Sequence, residues 1–193
     1  MTYDIILAGV GGQGVLSLAT IIARAAMIDG LRVRQSEVHG MSQRGGGVQA
    51  HLRISDSTIH SDLIPSGAAD MILSMEPLES LRYLSFLKPD GIVVTAAEPV
   101  VNIADYPELA GLHATIKSLP RSRIVDAESI AKEAGNLKSV NMALIGAASE
   151  ALPVSEAALT QSVHDTFAKK DPRLVEVNMK AFKLGEESGK GAK

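Results

Sequence analysis

Apolar residues along this chain switch between two periods, and the switches mark its elements. Ile5-Ile6-Leu7-Ala8 is a short continuous run of the kind that a strand buried on both faces requires, and it ends at Gly9. Val15, Leu18, Ile22, Ala25 and Ala26 then recur at helical spacing as far as Asp29, with Gly30 placed where a glycine ends a helix. Leu31 to Ser36 reads as a second strand, so the first unit is strand, helix, strand. The pattern lapses through Gly47, resumes as the alternation Val48, Ala50, Leu52, Ile54, and stops at Ser55-Asp56-Ser57 before a further extended piece, Thr58-Ile59-His60-Ser61. Two extended runs about a tight Ser/Asp turn predict a hairpin, and therefore antiparallel pairing that a purely parallel Rossmann winding lacks.

Asp70 to Met75 and Gly91 to Thr95 are continuous apolar strands, and Glu76-Pro77 opens a helix with proline in its first turn and Leu78, Leu81 and Leu84 behind it. From Glu98 to Pro120 the pattern weakens. Pro99, Pro107 and Pro120 punctuate a predicted loop with one short strand near Ala114-Thr115-Ile116. Arg123-Ile124-Val125-Asp126 reads as a strand, followed by helices at about 128–134, 139–152, 155–168 and 173–185, and then by a glycine- and charge-rich end without periodicity. The chain shows no internal repeat.

Composition narrows the chemistry. The 193 residues suit one α/β domain with a substantial core. There is no cysteine, which removes disulfides, thiolate metal sites, iron–sulfur ligation by this chain and cysteine nucleophiles together. A formal charge of −3 with dispersed Lys and Arg gives no basic face for nucleic acid. No apolar stretch approaches the roughly 20 residues that span a bilayer, and the chain enters its first strand without a leader pattern, so the expectation is a cytoplasmic protein without membrane contact. Three Tyr, three Phe and no Trp leave few rings on which a large aromatic cofactor could stack.

Two glycine-dense segments carry the candidate chemistry. Gly9-Val10-Gly11-Gly12-Gln13-Gly14 lies between strand and helix, where residues without Cβ let backbone N–H groups approach a phosphate and the helix N-terminus favours negative charge. As a dinucleotide fingerprint it is incomplete: Glu37, at the end of the second strand, is either a ribose ligand or a polar strand end. His39-Gly40-Met41-Ser42-Gln43-Arg44-Gly45-Gly46-Gly47 follows the second strand, at the sheet edge where open α/β folds bind ligands, and is expected to neighbour the first loop. Arg44 is the only fixed positive charge in either loop, and Ser42 and Gln43 add donors; the alternative is a plain glycine turn with a solvated arginine. His39 has no carboxylate or nucleophile at local spacing, and His51 and His60 lack a third metal ligand, so neither a catalytic histidine nor a metal site is expected. Asn141 falls in the first turn of a helix with Ser139 as candidate N-cap, and either points into the crevice or serves local capping. Met41, Met71, Met75 and Met142 read as packing residues.

Taken in order, Gly9-x-Gly-Gly-Gln-Gly14, the segment His39 to Gly47, Met75-Glu76-Pro77-Leu78-Glu79 and Val140-Asn141-Met142 with Gly146 resemble the gamma subunit or domain of 2-oxoacid:ferredoxin oxidoreductases, and most nearly the small (beta) subunit of indolepyruvate oxidoreductases. The resemblance covers roughly residues 4 to 150. It implies a three-layer α/β/α sandwich with a mixed, mainly parallel sheet and a helical C-terminal third, with residues 1–185 as one gamma-type domain and 186–193 as a flexible tail. It implies a complex that oxidatively decarboxylates 2-oxo acids to acyl-CoA, with thiamine diphosphate and iron–sulfur clusters on a large partner subunit and electrons passing to ferredoxin. On this chain, Gly9, Gly11, Gly12, Gln13 and Gly14 would hold a phosphate-bearing group such as coenzyme A, His39, Ser42, Gln43 and Arg44 would approach the active-site mouth, and no residue would be catalytic. A free-standing NAD(P)-binding oxidoreductase and a ligand-free scaffold are the competing readings.

Overall fold

Alternation on the first strand sets the layers. Along β1 (Thr2–Val10), Ile5 and Leu7 face one core and Ile6 faces the other, and all three are fully buried. The structure is a computed structural model that describes residues 1–39, 45–168 and 171–190. After β1 come α1 (Val15–Ile28), β2 (Arg32–His39), β3 (Gly47–Ser55), β4 (Ala69–Ser74), α2 (Pro77–Arg82), β5 (Leu87–Ala96) and α3 (Leu109–Lys117). Then follow β6 (Ser122–Val125), α4 (Ala127–Ala134), α5 (Val140–Ala148), α6 (Glu156–Ala168) and α7 (Pro172–Gly189). The strands lie in the order β2-β3-β1-β4-β5-β6. β3 runs antiparallel to both of its neighbours, while β1, β4, β5 and β6 are mutually parallel.

The larger core packs α1 and the C-terminal helices against the Ile5/Leu7 face, with Leu52, Met71, Leu73 and Val94 from the sheet. The smaller core holds Ile72, Val93 and Ile116 beneath α2 and α3. The mixed α/β architecture expected from the sequence is therefore present, with its helical C-terminal third. Helices α5 and α7 approach closely enough that a Cβ on Gly146 would overlap the Phe182 carbonyl oxygen, and one on Gly185 the Ala143 carbonyl oxygen.

Four expectations are corrected. The hairpin joins β2 to β3 and not β3 to 58–61: β2 continues to His39, which pairs with Val48. Residues 58–61 form no strand, and their segment is held by side chains, with Arg53 Nη1 donating to the Ser61 and Leu63 carbonyls at 3.1 Å each. The strand–helix–strand unit is split, because β3 inserts between β1 and β2. Ala114-Thr115-Ile116 lies in α3, where Leu112 and Ile116, one turn apart, are the buried positions. Finally, α7 runs past the expected end at 185 to Gly189, so residues 186–189 are helix and not tail; a Cβ on Gly189 would stand 2.9 Å from the Ala147 carbonyl oxygen.

Candidate functional site

The glycines at the end of β1 divide into two kinds. A Cβ on Gly9 would sit 2.8 Å from Val15 Cγ2 and 3.0 Å from Met75 Cβ, so Gly9 lets α1 and β4 close over the strand end. Gly12 (φ 103°) and Gly14 (φ 89°) adopt the left-handed backbone that only glycine takes without strain, and a Cβ on Gly12 would meet nothing within 4 Å. The loop opens outward at Gly12. Gly14 is the N-cap of α1 and supplies no side chain, so the first-turn N–H groups of that helix are left without a side-chain acceptor.

Gln13 is a brace. Its Oε1 accepts the Val10 N–H at 2.7 Å and its Nε2 donates to the Met75 carbonyl at 3.0 Å, which ties the loop to the residue after β4. Asn141 reaches across to the loop, its Nδ2 donating to the Gly14 carbonyl at 3.2 Å, while the N-cap of α5, Ser139, makes no side-chain cap. The two glycine loops do meet. Gly11 N–H donates to the Gly46 carbonyl at 2.8 Å, and the Gly11 carbonyl accepts the Gly45 N–H at 3.4 Å. Asn102 Nδ2 donates to the Gly45 carbonyl at 2.8 Å, so the segment after β5 closes a third side. His39 ends β2 with its side chain outside the described residues, and Ser42, Gln43 and Arg44 lie wholly outside them.

Two cavities flank Gly12. One, of about 440 Å³, is bounded by Gly12, Gln13, Glu98, Lys138, Val140 and Asn141 among others, at the C-terminal ends of β1, β4 and β5. The other, of about 410 Å³, lies toward α1 and β3 against Leu16 and Val48. Glu98 and Lys138 are functional candidates that sequence reading missed. Glu98 stood just past a predicted strand, the place where an α/β fold puts ligand groups, whereas nothing local marked Lys138. Burial, and then the Asp126 carboxyl beside it, push Glu98 up to about 7.

Buried acids anchor the segment after β5. Glu76, 1% exposed, caps α2 by accepting the Glu79 N–H at 2.8 Å through Oε2, and its Oε1 accepts from the Tyr106 hydroxyl and, at 3.4 Å, from the Val100 N–H. Burial and the Glu76 contact push the Tyr106 phenol well above its ordinary range. Glu79, 2% exposed, pairs with Arg82 through Oε1 and leaves Oε2 without a partner against Gly47; burial raises its carboxyl. Glu37 accepts the Gln35 Nε2 donor at 2.6 Å on the edge strand.

The model of one family, described as pyruvate ferredoxin/flavodoxin oxidoreductase, matches residues 4–188. The chain belongs to that family. Indolepyruvate oxidoreductase subunit IorB of Thermococcus kodakarensis is 39% identical over 198 residues, spanning 97% of this chain and 96% of that protein. The keto/oxoacid ferredoxin oxidoreductase gamma subunit of Geobacter sulfurreducens superposes with a TM-score of 0.71 at 26% identity, covering 98% of this chain and 99% of that one. The 2-oxoglutarate:ferredoxin oxidoreductase of Magnetococcus marinus, solved with 2-oxoglutarate, coenzyme A and succinyl-CoA bound, gives 0.78 at 24% identity. It covers all of this chain, which spans 32% of that longer one, and at that identity the likeness is of fold. Family membership supports the oxidoreductase-subunit reading over a free-standing NAD(P) enzyme or a ligand-free scaffold.

Proposed function

We propose that this chain is the small, cofactor-free subunit of a 2-oxoacid:ferredoxin oxidoreductase acting on indolepyruvate or another aryl pyruvate, and that its glycine crevice holds the phosphate-bearing end of coenzyme A. The reaction cleaves the bond between the 2-oxo carbon and the carboxylate, releases CO₂, joins the acyl group to the coenzyme A thiol and passes two electrons to ferredoxin. Carbanion chemistry and electron transfer belong to thiamine diphosphate and iron–sulfur clusters on a large partner subunit. This chain has no cysteine with which to ligate an iron–sulfur cluster, and among the described residues no three His, Asp or Glu side chains gather to hold a metal.

What carries the proposal is the crevice. Gly12 presents bare backbone to both cavities; the uncapped N-terminus of α1 borders one of them, and Lys138 adds a cation to the wall of the other. Gln13 and Asn141 keep that backbone fixed, so an anion meets donors already in place. His39, Ser42, Gln43 and Arg44, which precede Gly45 in sequence, are proposed to add donors from the second loop. The supporting test is reconstitution. The chain alone is expected to be colourless and inactive, and addition of the large subunit should give 2-oxo acid and coenzyme A-dependent ferredoxin reduction, fastest with an aryl pyruvate. Turnover by the isolated chain, or a reconstituted enzyme whose coenzyme A requirement is unchanged by Arg44→Ala and Gly12→Ala, would overturn the reading.

A further inference from the structure

Two carboxyl groups on the crevice wall, those of Glu98 and Glu128, have no part in holding a phosphate. Glu98 follows β5, and its Oε1 accepts the Glu128 N–H of α4 at 3.3 Å. Its Oε2 is buried without a hydrogen-bond partner among the described residues, and the Asp126 carboxyl acts on the same group. Asp126 is the N-cap of α4 and accepts the Ser129 N–H at 3.0 Å, which holds its own carboxyl below the usual range. Burial, and then the neighbouring Asp126 carboxylate, disfavour ionised Glu98, so a proton resides on it near neutral pH.

The other charged and titratable groups facing Glu98 are few. Glu128 is engaged by Lys132 at 3.2 Å, His113 of α3 contacts the Ala97 carbonyl at 2.9 Å, and Lys138 lies across the cavity. Lys138 alone of these adds a positive charge to the wall. Gly12, Lys138 and Glu98 line the same cavity, so an anion seated against Gly12 or Lys138 lies close enough for its charge to act on Glu98.

We propose that Glu98 makes anion binding in this crevice proton-linked: a polyanionic phosphate ligand is taken up together with a proton that Glu98 holds against Asp126. Ionised Glu98 would repel the ligand and neutral Glu98 admits it. Binding therefore weakens as pH rises through neutrality, although a phosphate ester gains charge over the same range. The inference rests on the crevice being an anion site, as proposed above, but not on the anion being coenzyme A.

The test follows the Glu98 carboxyl carbon by NMR in the full chain, assigned by its loss in Glu98→Gln, with and without saturating inorganic pyrophosphate. The midpoint should move up by about one pH unit, a tenfold gain in proton affinity. Pyrophosphate affinity should fall about fivefold between pH 6 and 8 in the wild type relative to Glu98→Gln, whose amide mimics the protonated acid. Asp126→Asn, which keeps an N-capping side chain, should lower the Glu98 midpoint and weaken the linkage, leaving the part that burial supplies. A midpoint that pyrophosphate does not move, or a fall in affinity from pH 6 to 8 that is as large in Glu98→Gln as in the wild type, overturns the inference even where coenzyme A binds. Pyrophosphate that shifts Glu98 while coenzyme A fails to bind overturns the coenzyme reading alone.

Discussion

Glycine does opposite work in two regions of this protein. At the end of β1, Gly12 has a backbone conformation that a side chain resists and empty space where a Cβ would point. Between α5 and α7, Gly146 and Gly185 have ordinary helical backbones and no space, because the carbonyl oxygens of Phe182 and Ala143 occupy it. One glycine keeps a surface open and the others let two helices touch backbone to backbone. A glycine in a sequence therefore carries two meanings that only three-dimensional neighbours separate, and substitution should tell them apart.

The largest effect is expected at the helix contact. Gly146→Ala and Gly185→Ala each force the helices apart, and overpacking of this kind costs about 3 kcal/mol. Denaturant midpoints should fall for both, with coenzyme A binding lost only in proportion to unfolding. A variant as stable as wild type would show that the contact gives way easily. Gly12→Ala should reverse the pattern. The left-handed backbone costs about 1–2 kcal/mol with a Cβ, while ligand affinity falls by more than the stability change accounts for. Equal losses would place Gly12 with the packing glycines.

How much of this was legible in the sequence follows the same division. The glycine loop and α1 could be read because the signal is local: an apolar run, glycines, then helical spacing. The sheet order could not, since β3 chooses β1 as a partner through register with residues tens of positions away, and the serine turn at 55–57 pointed to a nearer but wrong partner in place of β2. Ala114 to Ile116 looked extended because three residues cannot show a helical period. The bracing role of Gln13 could not be read, because its acceptor, the Met75 carbonyl, is 62 residues on. Glu98 went unnoticed for the same reason, its partner Asp126 being supplied by the next strand's end. Gly146 and Gly185 carried no sign of their contact.

Glu98 gives a smaller prediction, with a definite sign. Its carboxyl is raised from an ordinary 4.5 to about 7, so the folded chain holds an extra proton between those values, and stability falls as pH rises through that window. Glu98→Gln should match wild type at low pH and exceed it at pH 8, by less than about 1 kcal/mol because solvent screens a half-exposed group. Thermal midpoints at the two pH values measure this. A pH-independent difference would mean that the glutamine acts through packing.

The smallest effect is expected at Asn141, which joins the two regions. It stands on α5, the helix that Gly146 presses against α7, and reaches the carbonyl of Gly14, the residue that starts α1 beside the crevice. A Cβ on Gly14 would come within 2.8 Å of Asn141 Nδ2, so the amide also fixes how closely the loop lies on α5. Asn141→Ala removes one neutral hydrogen bond at a half-buried site and should cost about 0.5–1 kcal/mol in denaturant unfolding. Its informative readout is coupling. If the amide transmits the rigidity of the helix contact to the loop, ligand affinity should fall in Asn141→Ala, and a double-mutant cycle with Gly12→Ala should show the two losses to be less than additive, since a loop already strained has less order to lose. Strict additivity would mean that Asn141 supports the helix alone, and the packed and open regions would then be energetically separate.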